Sequence, residues 1–378
     1  MISIDSEHVC ILELLKASLF DLSPVFPKKA NWEKVFDVAK IQCLVPAVVS
    51  FIPPEHKREW SEFSCRYKAY FMQMIYAQNS FVKLLMDNKI PFVILKGTAA
   101  SIYYPNPLLR TFGDIDFYVA QEHVDPVINL LRNNGYVYIS NDLRHYEFEK
   151  YGLDFELHYK FSCIHYKEID HILLNGLNNA VIYKICDSVF PGLPSYENGI
   201  VLLGHIMQHL KDSGIGLRQI IDWMMFVHKE LDDSTWKKHF RPLAVEAGLE
   251  KLAITVTFMC KKWLGLPDEI TWCNNADPEV ADQLLIRILD DGNFGHDRAP
   301  VESIKKAMNN VGIFKHLQQT GKDNWTLAQK YRIFRPFAWI YQLFRYLSSG
   351  TIGLLSGKKV FMKDKHSMSL EELWKRLE

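Results

Sequence analysis

From Glu7 to about Met86 the apolar residues recur at intervals of three and four, the spacing that lines one face of a helix. Pro24, Pro27, Pro53 and Pro54 mark the breaks between helices. Asn31 stands where its side chain can cap a helix begun by Trp32 and Glu33, and the run from Glu55 to Met86 predicts one long helix ending before Asn88. Its aromatic residues Tyr67, Tyr70, Phe71 and Tyr76 are expected in the core. The period then changes. PFVILKG is a short continuous apolar run closed by glycine, which predicts a buried strand turning into a helix near Thr98 to Tyr103. DIDFYV predicts the next strand, a helix follows from about Glu122 to Asn133, and GYVYIS, RHYEFEK and LDFELHYKF supply further strands. Beyond about Cys163 the helical period returns and is expected to last to the C-terminus, broken by PGLP and by the loop DDGNFGHDRAP. There is no internal repeat and no low-complexity segment. The pattern therefore predicts an α+β fold: a mixed sheet core over 89–165, between a helical region over 1–88 and a helical domain over 166–378.

Composition narrows the function classes. A chain of 378 residues with 48% hydrophobic content can bury more than one core. Its 44 basic and 44 acidic residues cancel, so no global field draws in a long nucleic acid or an acidic partner, and any phosphate site has to be local. Seven scattered cysteines, an odd number without a CxxC pair, suit a reducing, cytoplasmic setting. The segment MISIDSEHVCILELLKASLF carries Asp5 and Glu7 where an export signal carries positive charge, and its apolar spacing predicts a folded helix. No stretch approaches the roughly 18 uninterrupted apolar residues of a membrane span, so no integral membrane association is expected. Over 331–365 aromatic residues mix with Arg332, Arg335, Arg345, Lys358, Lys359, Lys363 and Lys365. A peripheral membrane contact is one reading of that stretch; core packing with a basic rim, interrupted at Pro336, is the favoured one.

The candidate chemistry lies between Leu95 and His158. Residues two apart on a strand share a face, so Asp114 and Asp116 present two carboxylates together while Ile115 and Phe117 turn to the core. By the same period Asp154, Glu156 and His158 share a face. Pairing these two strands would gather three or four acidic groups. Such a cluster repels itself and calls for cations, and hard carboxylate oxygens select Mg²⁺ or Mn²⁺, with two ions expected. A DxD pair is in general more often two solvated charges than a metal site, but this pair is set inside an otherwise apolar strand. Gly97, between a strand and a helix, allows close approach of phosphate; Thr98 adds a hydroxyl; Lys96 and Arg110 are nearby cations for phosphate oxygens. Two of these also have a bland alternative, an ordinary turn for Lys96-Gly97 and a structural counter-ion to Asp114 for Arg110.

The segments ILKGTAASIYYPNPLLRTFGDIDFYV and LDFELHYKF resemble the uncharacterised nucleotidyltransferase family of bacteria, within the DNA-polymerase-β-like superfamily. The resemblance extends to HIMQHLKDSGIGLRQIIDW, the family's helical segment. It implies a nucleotidyltransferase-type sheet core and an enzyme that moves a nucleoside monophosphate from a triphosphate to an acceptor, releasing pyrophosphate. Gly97 is implied to contact phosphate. Asp114, Asp116 and Glu156 are implied as the catalytic metal ligands, with Asp154 the alternative for the third. The acceptor is open: a protein, an RNA end, a small molecule or a sugar phosphate.

Two rivals stand beside this reading. One is a metal-dependent glycosyltransferase holding a nucleotide-sugar through its DxD, against which the short strand-rich stretch argues. The other is a non-catalytic nucleotide-binding or interaction protein on the same scaffold. His205 and His209 are four apart on a predicted helix, but Ile206 stands where HExxH requires Glu, so metalloprotease chemistry is not expected. The two histidines and His158 are expected in packing roles or lining the cleft. Arg218 and Asp222, also four apart, read as an intrahelical ion pair or as cleft residues.

Overall fold

The structure, a computed structural model, describes residues 4–141, 145–161, 167–211, 214–292, 331–341, 343–344 and 370–377, with 318, 321, 322, 325, 327 and 368 as separate positions. The described residues form two compact units. One takes those up to Ser140, those from His145 to Gly292, and Met368 with 370–377; the other takes Asn141 and those from 318 to 344.

The first unit opens with α1 (Ser6–Phe20), whose Asp5 cap accepts from the His8 backbone N–H. In α2 (Trp32–Ile41) the Asn31 side chain accepts from the N–H groups of Glu33 and Lys34, the cap expected from the sequence. After the short α3 (Val45–Val48) comes α4 (Lys57–Asp87), the long helix, which buries Phe71, Phe81 and Leu85. Of its aromatic stripe only Phe71 is fully buried; Tyr76 points to solvent, 71% exposed, so its expected place in the core is corrected. Tyr67 and Tyr70 are riveted to the chain just before the second strand. The Tyr67 hydroxyl donates to the Arg110 carbonyl at 3.2 Å and accepts from Phe112 N–H, and Tyr70 donates to the Gly113 carbonyl at 3.1 Å.

Among the described residues the sheet has seven strands: β1 (Val93–Ile94), β2 (Asp114–Tyr118), β3 (Val137–Asn141), β4 (His145–Lys150), β5 (Leu153–His158), β6 (Val181–Ile185) and β7 (Ser188–Gly192), in the order β3-β4-β5-β2-β1-β7-β6. It is mixed: β2 and β5 run parallel, while β1 with β2, β4 with β5 and β6 with β7 are antiparallel. The hairpin β6–β7 corrects the expectation that only helices, punctuated by PGLP and a later loop, follow Cys163. Pro191 disguises it, since proline breaks most strands; β7 meets β1 only at Ile94 and Gly192, so the proline sits beside little of that ladder.

One face of the sheet is apolar; the other carries the carboxylates beside apolar residues such as Val93 and Tyr118. Phe117, Phe148, Phe155 and Leu157 pack beneath α4 and α6 (Val124–Asn133), with the Phe81 ring 4.5 Å from Phe117. The charged face lies beneath a helical block whose relevant members are α5 (Gly97–Ser101), α7 (Lys167–Asn178), α8 (Ser195–Lys211) and α9 (Leu217–Glu230). The α8 and α9 helices share one core with α1, α3 and the later helices, built around Trp223, Phe226 and Phe240. Among the described cysteines none forms a disulfide, and no described helix is long and apolar enough to cross a membrane.

In the second unit a 3₁₀ helix, Arg332–Phe337, carries Pro336 internally, and the Trp325 and Tyr341 rings stack at 5.5 Å. Arg345, Lys358, Lys359, Lys363 and Lys365 lie outside the described residues, as do Cys163 and the loop following Gly292.

Candidate active site

The parallel register of β2 and β5 sets Asp114 opposite Asp154 and Asp116 opposite Glu156. Because alternate residues share a face, all four carboxylates emerge on the charged side. β4 extends that side from across β5, with His145 opposite His158, Glu147 opposite Glu156 and Glu149 opposite Asp154. Carboxylate oxygens from Asp114, Asp116 and Glu156 lie within 4.8 Å of one another. Asp154, the alternative third ligand, is outside that cluster: it is exposed and two residues nearer the start of its strand.

Asp116 is the centre of the arrangement. It is 1% exposed, and its Oδ1 receives both Lys96 Nζ and His158 Nε2 at 2.7 Å. Burial pushes its carboxyl up, but Lys96 and His158 outweigh burial and hold it well below the usual carboxylate range. Asp114 goes the other way. Burial, with the negative charges of Asp116 and Glu156, pushes it up to about 7, against weaker opposition from Lys96 and Arg218. Burial works against the charge on Lys96 as well, yet the three carboxylates raise its pKa above the ordinary value. The cluster is thus short of positive charge at one member and satisfied at another.

Lys96 and Gly97 form the bend into α5, both with positive φ, 46° and 23°. A Cβ at Gly97 would meet nothing closer than 3.7 Å, so backbone conformation rather than space favours glycine there. Lys96 pays a strain on the order of 1–3 kcal/mol for its left-handed backbone, and that bend aims its ammonium at Asp116.

The facing wall comes from the helices. α8 contributes His205, Gln208 and His209, and α9 contributes Arg218 and Gln219, enclosing with the sheet a cavity of about 180 Å³. His205 and His209 touch through their Nε2 atoms at 2.7 Å. Burial, then the neighbouring His209 and Lys96, hold His205 well below the ordinary histidine pKa.

Two of the expected phosphate ligands are engaged elsewhere. Arg110 lines the cavity but is clamped to Asp222, Nε to Oδ1 at 2.9 Å and Nη2 to Oδ2 at 2.8 Å. Asp222 also accepts from the Tyr104 hydroxyl at 2.7 Å. Asp222 is therefore paired with Arg110, not with Arg218 within the helix, and Arg110 neutralises Asp222, not Asp114. Arg218 instead reaches the Thr111 carbonyl at 3.4 Å and stands on the cavity wall. Thr98 is buried, and its hydroxyl donates to Gln78 Oε1 at 2.7 Å. The sequence reading passed over His145, Gln208 and Gln219. Only His145 left a signal, in the alternation His145, Glu147, Glu149 that mirrors Asp154, Glu156, His158.

The family described as uncharacterised nucleotidyltransferase matches residues 28–265, more than half of the chain. Among solved structures the chain is similar to one described as an antigenic nucleotidyltransferase-like protein from Paracoccidioides brasiliensis. That likeness is at a TM-score of 0.33 and 12% identity, over 51% of this chain and 92% of that one. No curated protein matches the chain.

Proposed function

Since the chain belongs to the uncharacterised nucleotidyltransferase family, we propose that it transfers a nucleoside monophosphate from a nucleoside triphosphate to an acceptor, releases pyrophosphate, and depends on Mg²⁺ or Mn²⁺ held by Asp114, Asp116 and Glu156. The observation that carries this reading is the convergence of these three carboxylates on one cavity wall. The donor set fits the ions: every ligand is a hard carboxylate oxygen, and of the burial and crowding that together raise Asp114 to about 7, a divalent cation would relieve the crowding. Two such ions, when bound, activate an attacking oxygen and stabilise the departing pyrophosphate.

The chain's own residues supply the rest. Lys96, bent towards the cavity, binds triphosphate oxygens together with Arg218 from the opposite wall and the backbone at Gly97. Arg110 and Thr98 act from behind, one fixing α9 against the chain leading into β2, the other fixing α5 against α4. Glu156, half-buried at the cavity edge, takes the acceptor's proton. The acceptor class is a hydroxyl or a phosphate.

The test is a survey of the four nucleoside triphosphates, each labelled at the α-phosphate and at the γ-phosphate, with and without Mg²⁺. Pyrophosphate release dependent on Mg²⁺, with the α-label retained on an acceptor, is expected. Orthophosphate release alone, or no turnover of any triphosphate with extracts offered as acceptor source, overturns the proposal.

A further inference from the structure

Beside the three carboxylates the sheet carries a second set of donors with different chemistry. Antiparallel pairing of β4 and β5 places His145 directly across from His158, and Glu156 lies two residues before His158 on the same face. One ligand atom from each of His145, Glu156 and His158 lies within 4.8 Å of the others. All three line the cavity rather than the apolar core. His158 Nε2 stands 3.3 Å from Glu156 Oε2. Two donors on one ion, each bonded at roughly 2.0–2.2 Å with an angle near 90–109°, sit about 3.0–3.5 Å apart, so this pair already has the spacing of neighbouring ligands. His145 is oriented in turn by Glu147, whose Oε1 is 3.1 Å from its Nε2, the carboxylate-to-imidazole support that metal-binding histidines use.

We propose that His145, Glu156 and His158 form a second cation site that shares Glu156 with the Asp114–Asp116 site and takes a transition-metal ion, Mn²⁺ or Zn²⁺, in preference to Mg²⁺. The preference follows from the donors. Two imidazoles and one carboxylate suit borderline divalent metals, whereas Mg²⁺ dehydrates reluctantly and keeps to oxygen. Seating the ion exchanges the His158 Nε2 contact with Asp116 for a metal bond; the ring keeps one proton, moved to Nδ1, and Lys96 stays on Asp116 Oδ1. The two sites of the cavity thereby differ in hardness, one all-oxygen and one mixed. The inference rests on the cation reading of the carboxylates and is independent of the transfer reaction.

The experiment is a Mn²⁺ titration of the full chain without nucleotide, followed by electron paramagnetic resonance. Unbound Mn²⁺ gives the stoichiometry, and electron spin echo modulation reveals ¹⁴N nuclei bonded to the ion. Wild type is expected to bind one nitrogen-ligated ion in addition to those held by the carboxylates and to show ¹⁴N modulation. His145→Ala should weaken the nitrogen-bound ion about tenfold or more while its circular dichroism is unchanged, and Asp114→Asn should keep the ¹⁴N signal. Bound Mn²⁺ without ¹⁴N modulation in wild type overturns the site whatever the variants do, as does a His145→Ala protein with wild-type affinity and signal. A chain that shows the nitrogen signal yet releases no pyrophosphate would sink the transferase reading and leave the site standing.

Discussion

Two buried clusters of charge meet at the wall of one cavity, and they are built on opposite principles. Around Asp222 the charges close on themselves: one guanidinium faces one carboxylate through two hydrogen bonds, the Tyr104 hydroxyl adds a third, and Arg110 Nη1 donates onward to the Thr111 carbonyl at 3.0 Å. Around Asp116 they do not. Three carboxylates share Lys96, the His158 contact to Asp116 and the more distant Arg218, and Asp114 is left with a carboxyl pushed up to about 7. A buried carboxylate is thus no guide to function by itself. The informative quantity is whether its neighbours neutralise it, and of the two only the second cluster leaves carboxylates that could hold ions from outside.

The sharpest way to separate the clusters is to break each in turn. Asp116→Asn is expected to lower pyrophosphate release by roughly 10³ or more, measured with saturating triphosphate, while the variant still folds, because Lys96 keeps the charges of Glu156 and Asp114 beside it. A turnover within a few-fold of wild type would contradict its place at the centre of the site. Asp222→Ala should do the reverse. Removing one partner of a buried pair strands the other, at a cost of about 3–5 kcal/mol in unfolding free energy. The double replacement Arg110→Met with Asp222→Leu should cost clearly less, because no charge is then stranded. Should Asp222→Ala instead abolish turnover without loss of stability, the two clusters would have to be regarded as one site.

Asp114→Asn tests the under-neutralised half directly. Without divalent ions the folded wild type keeps the Asp114 proton up to about 7, whereas an unfolded Asp loses it near 3.8. The folded state therefore binds the extra proton between those pH values, and wild type loses stability as pH rises from about 4 through 7. The asparagine variant escapes that loss. It should be the more stable protein at pH 8, by on the order of 1–3 kcal/mol, with the advantage shrinking below pH 7 and gone near pH 4. A pH-independent difference would show that the crowding is absent. The smallest effect is expected at Thr98→Val, which removes the hydrogen bond to Gln78 at about 1 kcal/mol and leaves KM for the triphosphate unchanged. A raised KM would return Thr98 to the phosphate site.

How far the sequence discloses this arrangement follows from the range of each interaction. The shared face of Asp114 and Asp116, the cap at Asn31 and the bend at Lys96-Gly97 are local, fixed by the two-residue period and by backbone sterics, and each is visible in a few adjacent letters. The sheet core was legible through β5. The β6–β7 hairpin was not, because two five-residue strands with an internal proline look like punctuation between helices. The partners of Arg110 and Thr98 escaped for a different reason. Asp222 lies 112 residues beyond Arg110, and Gln78 lies 20 residues before Thr98 on another helix, so only tertiary packing reveals that these polar groups are already engaged. His145 was overlooked because its significance depends on register: the strand pattern gives its face, and only the pairing across β5 brings it to His158.

The central claim is that divalent ions, held by the under-neutralised carboxylates, are what bind the triphosphate. Calorimetric titration of a non-hydrolysable nucleoside triphosphate into wild type and into Asp116→Asn, each with and without Mg²⁺, tests it most directly. The account predicts that Mg²⁺ strengthens binding to wild type by about 100-fold, equivalent to roughly 2.7 kcal/mol, and does little for the variant. Equal affinity in all four titrations would contradict it.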